Sequence, residues 1–221
     1  MMIASYIDHT LLAPTATRED IARLCEEART YGFATVCVQP VRVAQAARAL
    51  AGTGVGVCTV VGFPHGANGG AAKAAEATRA IADGAAEIDM VMNLGAAKDG
   101  DWDTVTREIR QVKTAVGTHV LKVILEISEL TADEIVAACR AAVAAGADFV
   151  KTSTGFASGG ATIEAVTLMR RTVGTAARVK AAGGIRDYTA AQAMIAAGAD
   201  RIGASAGVAI CQEEAAGKGT L

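Results

Sequence analysis

The sequence predicts an α/β protein built as a single (β/α)8 barrel, the TIM-barrel fold class. Two observations lead to this prediction: helical and strand-like patterns alternate along the chain, and eight short apolar runs have the composition of buried strands. A length of 221 residues suits one such barrel. An open, doubly wound sheet is the alternative, because it is assembled from the same alternating units.

A recurrent phrase marks the end of several helices. An alanine-rich stretch reaches a glycine, and a strand-like run begins two or three residues later, at Gly32, Gly84, Gly146 and Gly198. Glycine is favoured there because the residue after a helix often adopts a left-handed backbone. The glycines are 52, 62 and 52 residues apart, which leaves room for two βα units between successive members. This spacing predicts repeated βα units along the whole chain.

The eight predicted strands are short runs rich in β-branched and other apolar residues. Two of the intervening helices have capping-box start signals, in which a threonine and an acidic residue three positions later satisfy first-turn amides, at Thr17 to Asp20 and at Thr131 to Glu134. The strands are predicted at Tyr6–Thr10, Phe33–Val38, Gly56–Val61, Glu87–Asn93, His119–Ile127, Asp148–Thr152, Arg178–Ala182 and Arg201–Gly203.

The domain organisation follows from the absence of any proline-rich or highly charged linker. We expect residues 1–216 to form one catalytic barrel domain and residues 217–221 to form a mobile C-terminal tail. The final strand is short, so closure of the barrel is inferred from the number of strands.

Composition excludes several functional classes. The formal charge of −2, without a lysine or arginine cluster, argues against binding along nucleic acid. The longest stretch without charged residues, Ala49 to Ala72, is broken by glycines, Pro64 and Asn68, which argues against a membrane helix. The five cysteines form no CxxC pair, which suits a reducing compartment. We therefore expect a cytoplasmic protein with no secretion signal.

Charged residues interrupt four consecutive predicted strands. Strands of a parallel barrel are buried on both faces and normally consist of apolar residues, yet these contain Asp89, Lys122, Lys151 and Lys180. If the barrel closes in chain order, the four strands are neighbours and the charged side chains can meet. A single such lysine is readily explained by its extending to solvent at a strand end, but four charged residues on adjacent strands favour a functional site.

Three ammonium groups near one carboxylate predict a particular chemistry. Repulsion and burial both favour the neutral amine, so one lysine is expected to have a lowered pKa and to be nucleophilic. A neutral amine can form an iminium with a carbonyl compound, and the iminium accepts electrons when a neighbouring carbon–carbon bond breaks. This is class I aldolase chemistry. It needs no metal, and the three histidines have no metal-ligand spacing.

Glycine-rich segments follow the sixth, seventh and eighth strands. Exposed amides in such segments, close to helix N-termini, bind anions, and the loops after strands seven and eight form the usual phosphate site of these barrels. Each segment alone is also explained as a tight turn. Together they favour a phosphorylated substrate. The segments run from Thr152 to Gly160, from Ala182 to Arg186 and from Gly203 to Gly207.

Several motifs resemble those of the deoxyribose-phosphate aldolase family, which uses a Schiff base, and the resemblance covers nearly the whole chain. The most specific feature is a lysine followed by Thr-Ser-Thr-Gly, combined with a second lysine before an Ala-Gly-Gly turn. The matching segments are residues 7–12 (IDHTLL), 36–38 (VCV), 63–66 (FPHG), 87–93 (EIDMVMN), 121–126 (LKVILE), 149–155 (FVKTSTG) and 179–186 (VKAAGGIR).

This resemblance implies reversible cleavage of 2-deoxy-D-ribose 5-phosphate to D-glyceraldehyde 3-phosphate and acetaldehyde, without a cofactor. It implies that Lys151 forms the Schiff base, that Lys180 lowers the pKa of Lys151, and that Asp89 transfers protons through a water. Lys122 would complete the charge network and contact a substrate oxygen. Substrate binding would further involve Asp8, Thr10, Thr154, Gly155, Gly183, Gly184, Gly203 and Ser205.

Two positions depart from the pattern of some relatives. Phe156 stands where some have lysine, and Ala206 stands where many have serine. Both changes predict weaker phosphate binding and better tolerance of non-phosphorylated aldehydes. Cys37 is expected near the inner surface of the barrel, either as a structural residue or as a target of reactive aldehydes. His65, in its loop, has no role assigned by the sequence.

Two other functions fit part of the sequence. Another Schiff-base barrel, such as a different sugar-phosphate aldolase or a pyridoxal-phosphate protein, would also use a lysine and a phosphate site. A sugar-phosphate sensor without catalysis would keep the phosphate site and lose a lysine at 151 or 180, yet both lysines are present. We expect a small phosphorylated sugar or aldehyde as the binding partner, no nucleic acid or membrane partner, and a homo-oligomer, with a dimer as the simplest form.

Overall fold

The computed structural model describes residues 2–218. Across this range, eight parallel strands form a closed barrel in which each strand pairs with its neighbours in chain order and β8 pairs with β1. The predicted (β/α)8 barrel is confirmed, and the doubly wound alternative is excluded. The strands are β1 Ile7–Leu11, β2 Thr35–Val38, β3 Gly56–Val61, β4 Glu87–Val91, β5 Val120–Ile124, β6 Phe149–Lys151, β7 Arg178–Ala182 and β8 Arg201–Ala204.

Helices connect the strands and surround the barrel. Short 3₁₀ turns occur at Ile3–Tyr6, Pro40–Arg42 and Ile127–Glu129. The α-helices are α1 Arg18–Tyr31, α2 Val43–Ala49, α3 Gly70–Ala82, α4 Leu94–Lys98, α5 Trp102–Val116, α6 Ala132–Ala144, α7 Ile163–Val173, α8 Tyr188–Ala196 and α9 Gly207–Lys218.

The local signals that predicted the helix ends are present in the structure. Both capping boxes form: the Thr17 hydroxyl accepts from the amide of Asp20 before α1, and Thr131 has the same relation to Glu134 before α6. All four glycines of the repeated phrase have positive φ angles, for example +69° at Gly32. The glycines therefore end the helices for the conformational reason that predicted them.

The predicted strand β5 was too long at its C-terminal end. The strand ends at Ile124 instead of Ile127, because Glu126 has a φ of +57° and residues Ile127–Glu129 form a 3₁₀ turn. A left-handed residue cannot continue an extended strand. Strand β4 likewise ends at Val91, and Asn93 caps α4 by accepting from the amide of Ala96.

The large apolar core lies between the barrel and its helices. A smaller cluster of Leu12, Cys37, Cys58 and Val60, with Phe63 packed against it, is separate from that core. In the part of the chain that the structure describes, no helix is both long and apolar enough to cross a membrane. Helix α9 includes Gly217 and Lys218, the first residues of the predicted tail, while residues 219–221 lie outside the described range.

Candidate active site

Buried charged residues from several strands meet inside the barrel. Asp89 and Lys122 are register partners on β4 and β5, and Lys151 and Lys180 are register partners on β6 and β7. Register partners of neighbouring parallel strands point to the same face of the sheet. All four side chains are at most 3% exposed. The structure therefore brings together the four charged residues that the sequence placed on adjacent strands.

Asp89 connects the three lysines. Its Oδ1 atom accepts a hydrogen bond from Lys122 at 2.8 Å, and its Oδ2 atom accepts from both Lys151 and Lys180, each at 2.8 Å. Hydrogen bonds between ionised partners are the strong ones, and the buried position reduces screening by water. Asp89 therefore fixes the positions of all three amines relative to one another.

Asp8 on β1 is a second carboxylate in this cluster. Its Oδ2 atom lies 2.5 Å from Lys180 Nζ, and its Oδ1 atom accepts from the Thr35 hydroxyl at 2.8 Å and from Arg201 at 2.5 Å. The resemblance implied that Asp8 borders the substrate pocket. The structure places Asp8 at 0% exposure, where it holds Lys180 and Arg201.

Glu87 and Arg201 complete the cluster, and neither was predicted from the sequence as part of the site. Glu87 Oε2 lies 2.5 Å from Lys122 Nζ, and Glu87 Oε1 accepts from Arg201 at 3.2 Å. Both residues begin their strands, β4 and β8, where charged side chains ordinarily contact solvent. A sequence signal existed, because each predicted strand began with the charged residue, but it does not distinguish an inward from an outward side chain.

The buried cluster thus contains four cations and three carboxylates. The two additional carboxylates change the expected pKa values of the lysines. Burial alone would lower the pKa of Lys180, but Asp8 and Asp89 raise it above its ordinary value. The pKa of Lys122 is likewise raised by Asp89 and further anionic neighbours against the effect of burial. Lys122 and Lys180 are therefore not the one lysine that was predicted to have a lowered pKa, and the cluster holds three carboxylates where the sequence indicated one.

The carboxylates shift in the opposite direction. Burial alone would raise the pKa of Asp89, but the ammonium groups of Lys122, Lys151 and Lys180 hold it well below its ordinary value. The pKa of Asp8 is also lowered, by Lys180, Lys122 and Arg201 against burial. Both carboxylates are therefore ionised at neutral pH in the resting site.

A cavity of about 380 Å³ opens above this cluster at the carboxyl ends of the strands. Of Lys122, Lys151 and Lys180, all within the described residues, Lys151 alone lines it. The others, with Asp8 and Asp89, lie below the cavity wall. The predicted site residues that line the cavity are Lys151, Thr10, Thr154, Gly155, Gly183, Gly184, Gly203 and Ser205.

Backbone amides form part of the cavity wall. Within residues 2–218, the amides of Gly184, Ile185 and Ser205 have no acceptor in the chain, and these residues line the cavity. Helix α9 begins at Gly207, two residues after Ser205, so the positive end of its dipole is close by. Free amides near a helix N-terminus are suited to an anionic group such as phosphate.

Gly203 has a further role that the sequence did not indicate. A Cβ atom added there would lie 3.0 Å from Cε of Lys180 and 2.9 Å from Cβ of Ala182. A larger residue at this position would therefore push Lys180 away from its carboxylates. Gly203 both lines the cavity and makes space for the buried lysine.

Glu126 is a third residue, after Glu87 and Arg201, that the sequence did not assign to the site. It is 2% exposed and has the left-handed backbone that ends β5. Its carboxylate accepts from the amide of Thr154 at 3.3 Å and from the Thr154 hydroxyl, and that hydroxyl accepts from the amide of Phe156 at 3.0 Å. Glu126 therefore holds the cavity segment from Thr154 to Phe156 in place.

His65 and Phe156 lie at the edge of the site. His65 is exposed and lines a separate hollow of about 250 Å³, next to Glu126 and Thr154, instead of the cavity that contains Lys151. Phe156 is 53% exposed, lines the main cavity and packs edge-on against Phe63, with ring centroids 5.2 Å apart. An apolar ring thus occupies a position beside the amide-lined wall.

Comparison with known proteins agrees with this geometry. The family model described as DeoC/LacD family aldolase matches residues 2–213. The chain belongs to the DeoC/LacD aldolase family. It is 58% identical over 216 residues to deoxyribose-phosphate aldolase 1 of Cutibacterium acnes, which covers 98% of this chain and 100% of that protein. It is 57% identical over 210 residues to the deoxyribose-phosphate aldolase of Brevibacillus brevis, covering 95% of each chain.

Solved structures place the fold in the same family. The aldolase QR15 superposes with a TM-score of 0.94 at 40% identity, covering 99% of this DeoC/LacD aldolase and 98% of that chain. The deoxyribose phosphate aldolase of Aeropyrum pernix, described as having a unique tetrameric structure, superposes with a TM-score of 0.88 at 34% identity, covering 96% and 91% of the two chains. The chain is therefore an aldolase of the lyase class.

Proposed function

We propose that this aldolase cleaves 2-deoxy-D-ribose 5-phosphate reversibly to D-glyceraldehyde 3-phosphate and acetaldehyde, through a Schiff base on Lys151. The observation that carries the proposal is the position of Lys151, which is bonded to the buried cluster and lines the same cavity as the free amides of Gly184 and Ser205. The names of the relatives at 57–58% identity support this substrate.

Activation of Lys151 follows from its single carboxylate partner. Lys122 and Lys180 each contact two or more carboxylates, whereas Lys151 bonds to Asp89 alone among the described residues. With one carboxylate partner, the ammonium form of Lys151 is stabilised least among the three lysines, and loss of its proton to solvent in the cavity leaves a free amine 2.8 Å from Asp89 Oδ2. Lys180 stays charged beside Asp8 and stabilises the carboxylate pair during this step.

The reaction then proceeds at the end of the Lys151 side chain. The amine adds to the C1 aldehyde of the open-chain sugar, and the carbinolamine oxygen takes a proton from solvent and leaves as water to give an iminium. The iminium accepts the electron pair as the C2–C3 bond breaks. The C3 hydroxyl loses its proton through a water to Asp89, and glyceraldehyde 3-phosphate leaves. Protonation of the enamine at C2 and addition of water then release acetaldehyde and restore the amine.

The phosphate would bind at the free amides of Gly184, Ile185 and Ser205. Thr10, Thr154, Gly155, Gly183 and Gly203 complete this side of the cavity in the proposal. In the structure Lys122 contacts Asp8, Glu87 and Asp89 below the cavity wall, so we assign it to maintaining the cluster. A direct bond between Lys122 and substrate is not part of the proposed mechanism.

Trapping the intermediate tests this function. The chain is incubated with acetaldehyde and borohydride and then digested for peptide mass mapping. We expect a two-carbon adduct on the Lys151 peptide, with Lys122 and Lys180 as internal controls in the same digest, and none in a Lys151→Arg variant. A phosphate sensor without catalysis would give no adduct, and an adduct on Lys180 instead would refute the assigned nucleophile.

We also propose that residues 1–216 act as one catalytic domain. We further propose that the protein works in the cytoplasm. Finally, we propose that it forms a homo-oligomer, with a dimer as the simplest state. The five cysteines are all free thiols, which supports a reducing compartment. The Aeropyrum pernix relative is described as a tetramer, which supports self-association of this chain. Light scattering of the purified protein measures the oligomeric state directly, and a monomer at micromolar concentration would contradict this part.

A further inference from the structure

Two buried thiols lie beside the ionic cluster, and the proposed reaction makes no chemical use of either. Cys37 on β2 and Cys58 on β3 are register partners, so their side chains share one face of the sheet. Both are 0% exposed. Cys58 Sγ donates to Asp89 Oδ1 at 3.1 Å. One ligand atom from each of Cys37, Cys58 and Asp89 lies within 4.8 Å of the other two.

We propose that Cys37, Cys58 and Asp89 form a binding site for a soft divalent cation of the zinc and cadmium class. Two thiolates and a carboxylate are a donor set that zinc accepts, and thiolate favours such ions over magnesium or calcium. Zinc–sulfur bonds of about 2.3 Å place two tetrahedral sulfur ligands about 3.8 Å apart. The observed grouping therefore needs only a small closure around the ion, and a fourth position stays open for water.

Charge balance permits such an ion beside the lysines. Binding converts the two thiols to thiolates and releases two protons, while the carboxylate of Asp89 coordinates without a change of protonation. The incoming double positive charge replaces two protons, so the net charge of the buried cluster stays the same. An ion that bound without thiol deprotonation would instead add two positive charges next to Lys122 and Lys151.

The ion would compete with Lys122. Lys122 Nζ lies 2.8 Å from Asp89 Oδ1 and 3.3 Å from Cys58 Sγ, and both atoms would become metal ligands. Lys122 would keep Glu87, 2.5 Å away. The metal therefore replaces two contacts of a lysine that retains another carboxylate.

Occupation of the site would inhibit the enzyme. A carboxylate that coordinates a metal is a weaker proton acceptor, so Asp89 would no longer take up the proton of the C3 hydroxyl. This consequence rests on the proposed function, whereas ion binding itself does not. Because the ligands are buried below Lys151 and the cavity, we expect the inhibition to develop slowly after the ion is added.

A cadmium titration tests binding without measuring turnover. The background variant has Cys25, Cys139 and Cys211, which lie on α1, α6 and α9, replaced by alanine, so that Cys37 and Cys58 are the remaining thiols. We expect one cadmium ion per chain, with an ultraviolet cadmium–thiolate absorption band. Replacing either Cys37 or Cys58 by serine in this background should weaken binding at least about tenfold. Equal binding after replacement of both would overturn the proposal.

The unmodified chain and its single Cys37→Ser and Cys58→Ser variants serve as a second comparison if the background variant does not fold, as checked by circular dichroism. In activity assays, cadmium should inactivate the unmodified enzyme slowly, and EDTA should restore activity. Cys37→Ser should remain active in the presence of cadmium. Stoichiometric binding with full activity would refute the inhibitory role, while absence of turnover in metal-free enzyme would refute the proposed function instead.

Discussion

Lys180 Nζ lies 2.5 Å from Asp8 Oδ2, and neither side chain is exposed to solvent. Lys180 is on β7 and Asp8 is on β1, and β8 lies between these strands and pairs with both of them in the closed barrel. Closure of the barrel therefore gives Lys180 a second carboxylate partner, in addition to Asp89. The pair ties the last strands of the chain to the first one.

We expect the substitution Lys180→Met to lower the free energy of unfolding by about 3–5 kcal/mol, the usual cost of leaving a buried charge without its partner. Replacing both residues, as Lys180→Met with Asp8→Asn, should recover part of this loss because the buried charge on Asp8 that faced Lys180 is removed as well. Urea unfolding of Lys180→Met, Asp8→Asn and the double variant gives the coupling free energy between the two residues. Strict additivity of the two single losses would contradict a direct interaction between the residues.

The pH dependence of stability follows from the shifted carboxyl groups. The pKa of Asp8 is lowered from its ordinary value of 3.8, so its stabilising effect is complete above that value and is lost as the pH falls toward the folded-state pKa. We expect the difference in unfolding free energy between the native chain and Asp8→Asn to be constant from about pH 5 to 8 and to shrink below about pH 4.

Lys180 determines the pH dependence of stability at high pH. The pKa of Lys180 is raised above 10.5, so its stabilising effect is complete below that value and is lost only as the pH rises toward the folded-state pKa. Urea unfolding from pH 3 to 9 therefore measures the contribution of Asp8 with Lys180 fully charged. A difference that grows as the solution is acidified would refute the assigned direction.

The substitution Phe156→Lys should favour the phosphorylated substrate. Phe156 lines the cavity, and a cation at a partly exposed site contributes at most about 1 kcal/mol, equivalent to about a fivefold change. We expect kcat/KM for deoxyribose 5-phosphate to rise about two- to fivefold relative to that for deoxyribose. Ile163→Lys, at an exposed position on α7 outside the cavity, should leave the ratio unchanged. An equal change in both variants would indicate a general charge effect.

Ala206→Ser should have a smaller effect than Phe156→Lys. Ala206 packs against the hydrophobic core, and it is not one of the described residues that line the cavity. Its carbonyl accepts from the amide of Ile210 in the first turn of α9. We expect the ratio of kcat/KM values for the two sugars to change by less than about twofold, equivalent to about 0.4 kcal/mol. A larger preference for the phosphorylated sugar would indicate that the new hydroxyl contacts the phosphate group.

Glu126→Gln tests the support of the Thr154 segment. The carboxylate accepts from both the amide and the hydroxyl of Thr154, and hydrogen bonds to charged groups contribute about 1.5–3 kcal/mol. We expect KM for the sugar phosphate to rise about tenfold, with a smaller fall in kcat, because the cavity wall loses its fixed position. Glu129→Gln, on the exposed side of the same turn, is the matched control. A fall in kcat alone would argue for a chemical role of Glu126.

The fold was predictable because its signals are local. Each strand is an apolar run of its own, and the helices carry capping residues and terminal glycines that can be read without tertiary information. Glu126 shows where such reading fails. A non-glycine residue with positive φ is uncommon, and this one is stabilised by Thr154, which lies far along the sequence.

The site was predictable in part for a related reason. Asp89, Lys122, Lys151 and Lys180 interrupt apolar strands, so their positions are conspicuous in the sequence. Glu87 and Arg201 stand at strand starts, where a charge is ordinary, and only the closed barrel shows that they face inward. The sequence could not tell that the pKa values of Lys122 and Lys180 are raised, because the pKa of a buried group depends on every neighbouring charge, including those of Asp8 and Glu87.

The interlocked charges also bear on how the barrel reaches its native pairing. Side chains alternate between the inside and the outside along a strand, so a shift of β7 by one residue would turn Lys180 toward the helices and Val179 toward Asp8 and Asp89. Apolar residues alone would tolerate several such shifts, whereas the displaced ammonium group would have no counterion. Each misaligned closure would therefore bury a charge without a counterion. The charged residues of the reaction centre thus disfavour misaligned strand pairings in addition to their part in the reaction.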